Sequence, residues 1–142
     1  MTVRFETNIH IDAPPARVWE VMSDVARWTE WAPAVKGAER HDSGPLKLGS
    51  SATMDIKGAP KAKWTVTDLE EGAAFTWESD ARIKARGYHV VDPDGEGSRV
   101  TLGIVAPGLL ATILWPLIMP VFRRNVRAEA EGLKKRCESP PT

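Results

Sequence analysis

The stretch Val100-Thr-Leu-Gly-Ile-Val-Ala-Pro-Gly-Leu-Leu-Ala-Thr-Ile-Leu-Trp-Pro-Leu-Ile-Met-Pro-Val-Phe122 holds no charged residue, in a chain of 142 residues of which 27% are charged. How it is read decides the fold. A bilayer span takes about 20 apolar residues in continuous helix, and this run has the length without the continuity. Val100 to Val105 reads as a strand, preceded by the turn-rich Asp92-Pro-Asp-Gly-Glu-Gly-Ser98. Pro107-Gly108 then breaks the chain. Leu109 to Phe122, about 14 residues, is short for a span and carries Pro116 and Pro120. Each proline removes a helix hydrogen bond, so a kink or a broken first half is expected there.

Past the break, Leu114, Ile118, Phe122, Val126, Ala130, Leu133 and Cys137 recur every three or four residues. That spacing predicts a long helix from about Gly108 to Arg136 with one stripe facing inward. Beyond Phe122 the opposite face is charged. There Arg123, Arg124, Arg127, Lys134, Lys135 and Arg136 interleave with Glu129, Glu131 and Glu138, which reads as a solvated face. Before Phe122 the helix is apolar all round, more than one buried stripe requires.

Toward the N-terminus, Val3, Phe5, Ile9 and Ile11 alternate with Arg4, Glu6, Asn8, His10 and Asp12, a half-buried strand. Ala13-Pro14-Pro15 ends it and opens a helix with Asp12 as cap and Val18, Trp19, Val21 and Met22 as its apolar face. Ser23-Asp24 starts a second short helix carrying Val25, Trp28 and Trp31, closed by Pro33. From Val35 onward, short alternating segments are separated by Gly-containing turns. Ser50–Lys57, Ala62–Thr67, Ala73–Ser79, Ile83–Val91 and Arg99–Val105 predict an antiparallel meander.

Composition narrows the function. Lys+Arg and Asp+Glu balance at 19 each, which leaves no basic field for a phosphate backbone and disfavours nucleic acid. The single cysteine, Cys137, excludes an internal disulfide and a multi-thiolate metal centre. His10, His41 and His89 are isolated, so no metal site is expected, and no nucleotide or other cofactor motif occurs. Arg4, Glu6, His10 and Asp12 interrupt any leader-like apolar segment, and a cytoplasmic protein is expected. The length suits one domain, residues 1–138, with 139–142 as a frayed tail.

This order of elements resembles the helix-grip fold of the START-like, or SRPBCC, superfamily, in its polyketide cyclase/dehydrase-like branch. Ile11-Asp-Ala13-Pro14, Val18-Trp19 and Asp24, Trp28, Trp31, Pro33 carry the resemblance, with Gly97-Ser-Arg-Val-Thr101 entering the last strand. It implies an α+β fold in which a curved antiparallel sheet of about seven strands grips the C-terminal helix, with two short helices after the first strand. It also implies an apolar cavity between sheet and helix, occupied in various members by lipids, polyketides, sterols or quinones. The fold hosts carriers and enzymes alike, so the resemblance assigns no catalytic residue.

Trp64 and Trp77 lie on the apolar faces of their strands and can wall a pocket, each with one N–H to aim. Met54, Leu114 and Ile118 complete the expected lining, while Trp28 and Trp31 are expected to pack the short helices on the sheet. In the sixth strand His89 shares a face with Gly87 and Val91, and Tyr88 shares the other with Arg86 and Val90. One set turns inward, so His89 or Tyr88 would orient a ligand, and His89 is the candidate acid/base. His41-Asp42-Ser43 holds the residue types of a hydrolase triad, but sequence neighbours cannot form one.

Three functions follow as expectations. The first is binding of a hydrophobic small molecule (lipid, polyketide or quinone-like). The second is a cyclase or dehydratase, which needs an acid/base pair inside the cavity. The third is peripheral membrane or homodimer contact through Leu110, Trp115, Leu117 and Met119, with Arg123 and Arg124 meeting acidic headgroups.

Overall fold

The computed structural model describes residues 2–140; of the tail expected at 139–142, residues 141 and 142 lie outside the described residues. Seven strands build one antiparallel sheet: β1 (Thr2–Ile11), β2 (Val35–Arg40), β3 (Ser51–Ile56), β4 (Ala62–Glu70), β5 (Ala74–Ser79), β6 (Arg86–Asp94) and β7 (Gly97–Pro107). Their order is β1-β7-β6-β5-β4-β3-β2. The chain leaves the β1 edge, crosses through α1 (Pro15–Ser23) and a 3-10 helix (Val25–Glu30), and meanders back from the far edge. The last strand delivers it into α2 (Leu109–Glu138), which packs against β1, β7 and α1. This is the helix-grip arrangement. Irregular register at Val35/Gly37 in β2 and Val66/Asp68 in β4 marks bulges, which bend strands and curl a sheet.

The apolar alternation of β1 is realised in full pairing with β7, from Thr2↔Pro107 to Ile11↔Ser98. Ile11, Val18, Met22, Val100 and Leu133 meet in a core with no exposed surface. Four details differ from expectation. Pro14 and not Asp12 occupies the N-cap position of α1, which has no side-chain cap, and Pro15 lacks one of the N–H groups a cap would serve. The Asp12 backbone N–H instead donates to Glu138 at 2.8 Å. Strand β6 begins at Arg86 and not Ile83, while β6 and β7 pair up to Asp94↔Gly97, so the predicted loop shrinks to a tight hairpin. Finally, α2 runs helical through both Pro116 and Pro120. A proline costs an interior bond, but here much of the surrounding turn faces away from the core and the freed carbonyls are not entombed.

The two halves of α2 differ sharply. Ala130, Leu133 and Cys137 are buried, and Gly132 passes against the end of the 3-10 helix. From Leu109 to Phe122 only Ala111 is buried. Leu109, Leu110, Ile113 and Leu117 are 66%, 46%, 64% and 74% exposed. By length and composition α2 could cross a membrane, with a mean hydropathy of 1.2 in its most apolar window. Its second half is nevertheless committed to the sheet.

Candidate functional site

Where the sheet curls away from the first half of α2, a cavity of about 580 Å³ opens. Small-molecule sites run from roughly 300 to 1,000 Å³. Trp64 on β4 and Trp77 on β5 form one wall, and Gly87, His89, Leu102 and Ile104 on β6 and β7 form the next. Leu114, Ile118, Val121 and Phe122 of α2 close the opposite side. The turn Gly58–Pro60 and the segment Ala81–Ile83 frame the mouth, with Leu110 and Leu117.

The tryptophans are arranged by the strand register. Trp77 is opposite Gly87, and a Cβ at Gly87 would stand 3.4 Å from the indole, so the ring edge carrying its N–H packs against a residue without a side chain. Trp64 and Trp77 are 5.7 Å apart between ring centroids at 41°, and Trp28 stands 5.3 Å from Trp77. Trp28 donates its N–H to Met22 O at 3.0 Å. Trp64 and Trp77 make no such side-chain bond among the described residues, leaving two indole donors for whatever fills the space.

The polar spot of the cavity is His89 with Glu129. His89 Nε2 is 3.4 Å from Glu129 Oε2, and the two side chains are 5% and 20% exposed. The imidazole stacks on Phe75 at 4.2 Å and 8°, and Trp28 and Trp77 flank it. Its Nδ1 lies 3.4 Å from Phe75 O. A carbonyl only accepts, so Nδ1 carries a proton and Nε2 faces the carboxylate. A group that can give or take a proton thus sits in an otherwise apolar chamber.

Most of the expected residues come together here: Trp64, Trp77, His89, Leu114 and Ile118 all line the cavity. Met54 does not. It is fully buried in the core on β3, beyond the lining. Tyr88 is also among the lining residues, but its ring covers Gly103 and its hydroxyl donates to Glu6 at 2.6 Å. The inward set on β6 is therefore the one containing His89. Trp28, expected as packing alone, is also part of the wall. Glu129 was expected on a solvated face; its position three residues after Val126 and four before Leu133 puts it on the inward stripe, the signal that could have found it. His41 bonds Ser51 and Thr53 while Asp42 accepts from Ser50, so no triad forms. Among the described residues no cluster of His, Cys, Asp or Glu is placed to hold a metal.

A family model described as "Polyketide cyclase / dehydrase and lipid transport" matches residues 2–138. No curated protein matches the sequence. Among solved structures, the di-domain ARO/CYC BexL is similar with a TM-score of 0.80 and 16% identity. That match covers 99% of this chain and 51% of BexL, so the chain spans about half of that protein. The aromatase/cyclase Zhui of a Streptomyces species is similar at a TM-score of 0.79 and 18% identity, covering 97% of this chain and 94% of that one. Major latex-like protein 151 of Panax ginseng follows at 0.77 and 15%, covering 97% and 99%. At such identities the likeness is one of fold.

Proposed function

Because this chain belongs to the polyketide cyclase / dehydrase and lipid transport family, we propose that it binds a hydrophobic small molecule, lipid-, polyketide- or quinone-like, between its sheet and α2. The observation that carries this reading is the cavity itself, about 580 Å³ of mostly apolar wall in which His89 faces Glu129. Water gains little in such a space, because an ordered water needs several polar partners. A ligand with flat rings meets Trp64, Trp77 and Trp28, and aliphatic segments meet Leu114 and Ile118. A carbonyl or hydroxyl oxygen at its inner end reaches His89, Glu129 or the Trp77 N–H. Titration with quinones, sterols and fatty acids, followed by tryptophan fluorescence, tests this. Saturable quenching by at least one class is expected; none across the panel overturns the reading.

A second reading, a cyclase or dehydratase, is favoured by the same pair. An enzyme of that kind needs an acid/base pair inside the cavity, and His89 with Glu129 supplies one. One member removes a proton from a carbon beside a carbonyl, and the protonated partner returns one to a departing hydroxyl, which leaves as water. Incubation with β-hydroxy ketones separates the readings. His89→Gln and Glu129→Gln should abolish dehydration while leaving binding within about threefold; turnover unaffected by both removes the enzyme reading.

A further inference from the structure

We propose that the exposed first half of α2 and the basic rim of the cavity mouth together form a docking surface for an anionic lipid bilayer, with the mouth held against the membrane. Two observations on the same face support it. The first is apolar: Leu109, Leu110, Ile113 and Leu117 are exposed along one helix, although a helix that only grips a sheet needs one buried stripe. Leu110 and Leu117 also line the mouth, so the apolar face and the cavity are continuous.

The second is charge. The chain as a whole is neutral, with 19 cations and 19 anions. Segments 57–63 and 81–84 beside the mouth, with Arg123 and Arg124, hold seven Lys or Arg, and the adjoining acid is Asp80 next to Lys63. Lys61, Arg82, Lys84, Arg123 and Arg124 are exposed and make no ion pair among the described residues. An apolar patch ringed by unpaired cations suits an interface of buried acyl chains beneath anionic headgroups. It does not suit a second copy of the chain, since a two-fold contact through this face would set one basic rim against another. The second half of α2 remains packed on β1 throughout, so the helix lies in the plane of the interface and does not cross it.

Docking stands on the surface alone; only its purpose, passing an apolar ligand between bilayer and cavity, rests on the binding reading above. Vesicle flotation tests it, using phosphatidylcholine vesicles with and without phosphatidylserine, at low and high salt. The protein should float with the serine-containing vesicles and sink from them as salt rises. The double variant Arg123→Glu/Arg124→Glu should lower that partitioning more than about tenfold. Leu109→Asp/Ile113→Asp, which alters two exposed side chains outside the cavity lining, should abolish it. Quinone binding in vesicle-free buffer, measured on the same samples, should not change with either variant, which keeps a failure of docking distinct from a failure of the cavity. Absence from both vesicle types, equal binding to both, or partitioning indifferent to the variants overturns the proposal. So does a dimer in solution that Leu117→Asp dissociates.

Discussion

A methyl group placed on Gly132 of α2 would stand 2.0 Å from the carbonyl oxygen of Trp31. Glycine in mid-helix costs about 1 kcal/mol relative to alanine, so its presence needs a reason, and this contact supplies one. The opposing atom is backbone at the end of the 3-10 helix and cannot rotate aside. Gly132→Ala should therefore destabilise by about 1–3 kcal/mol despite the better helix propensity, as overpacked cores do. Urea unfolding measures it; a gain in stability would show that the 3-10 helix yields freely.

His89 is buried and Glu129, 20% exposed, stands 3.4 Å from it, so removing either takes away the other's partner. Glu129→Leu or His89→Leu should each cost about 1–3 kcal/mol from the unsatisfied partner. The double variant should cost less than the sum, because no polar group is then left over. A thermodynamic cycle over the four proteins reads the coupling directly, and additive losses would mean the two side chains act apart.

The His10 ring lies between Asp94 at 2.8 Å and Asp12 at 2.9 Å. The hydrogen bond to Asp94, then that to Asp12, raises its pKa above the ordinary histidine value. A raised folded-state pKa means that folding takes up the proton. The contribution is complete below the unfolded value, about 6.5, and is lost as pH rises through the folded one. Asp94 is lowered in return, chiefly by His10, so its share is present above the unfolded carboxylate value and lost as pH falls through its folded one. His10→Asn should thus lose more stability in mildly acidic than in alkaline buffer. Unfolding midpoints at both pH values check this, and equal losses would contradict it.

Tyr88 is the chain's single tyrosine, so phenolate absorbance reports on it alone. Burial first, and then its bond to Glu6, pushes the phenol up to about 12. The native protein should show no phenolate at the pH where free tyrosine titrates, near 10, and Glu6→Gln should bring the transition down. Stability from this pair is full below the unfolded value and disappears as pH climbs toward the folded one. Titration in native and denaturing buffer measures both ends.

The scaffold was readable because its signals are local. Alternation in β1, Gly-punctuated strands and the stripe ending in Leu133 and Cys137 each specify an element without reference to the rest. Cavity walls were less readable, since lining depends on where a sheet curls. Met54 and Trp64 both alternate inward, yet only Trp64 reaches the opening. Tyr88 and His89 were left unordered, although Lys84, Arg86 and Asp92 share the alternation of Tyr88 and mark its face as the outer one. Glu129 was hidden by its neighbours: among Arg127, Glu131 and Lys134 an acid looks solvated, and only its spacing to Val126 and Leu133 says otherwise. Pro116 and Pro120 left a broken first half open, and the helix runs unbroken through both.

The close approach at Gly132 has a counterpart at the other end of the molecule. There Asn125 donates to Lys57 O at 2.8 Å, and the Gly58 turn rests against Val121. One end of α2 is riveted by interlocking backbone, the other fastened by a single side-chain bond across the mouth. Cooperative unfolding must break the rivet, whereas opening the mouth need break only the latch. Exchange of amide hydrogens should accordingly be graded along α2, quick near Leu110 and slow near Leu133. Opening of the mouth is thereby separated from unfolding, and neither property limits the other.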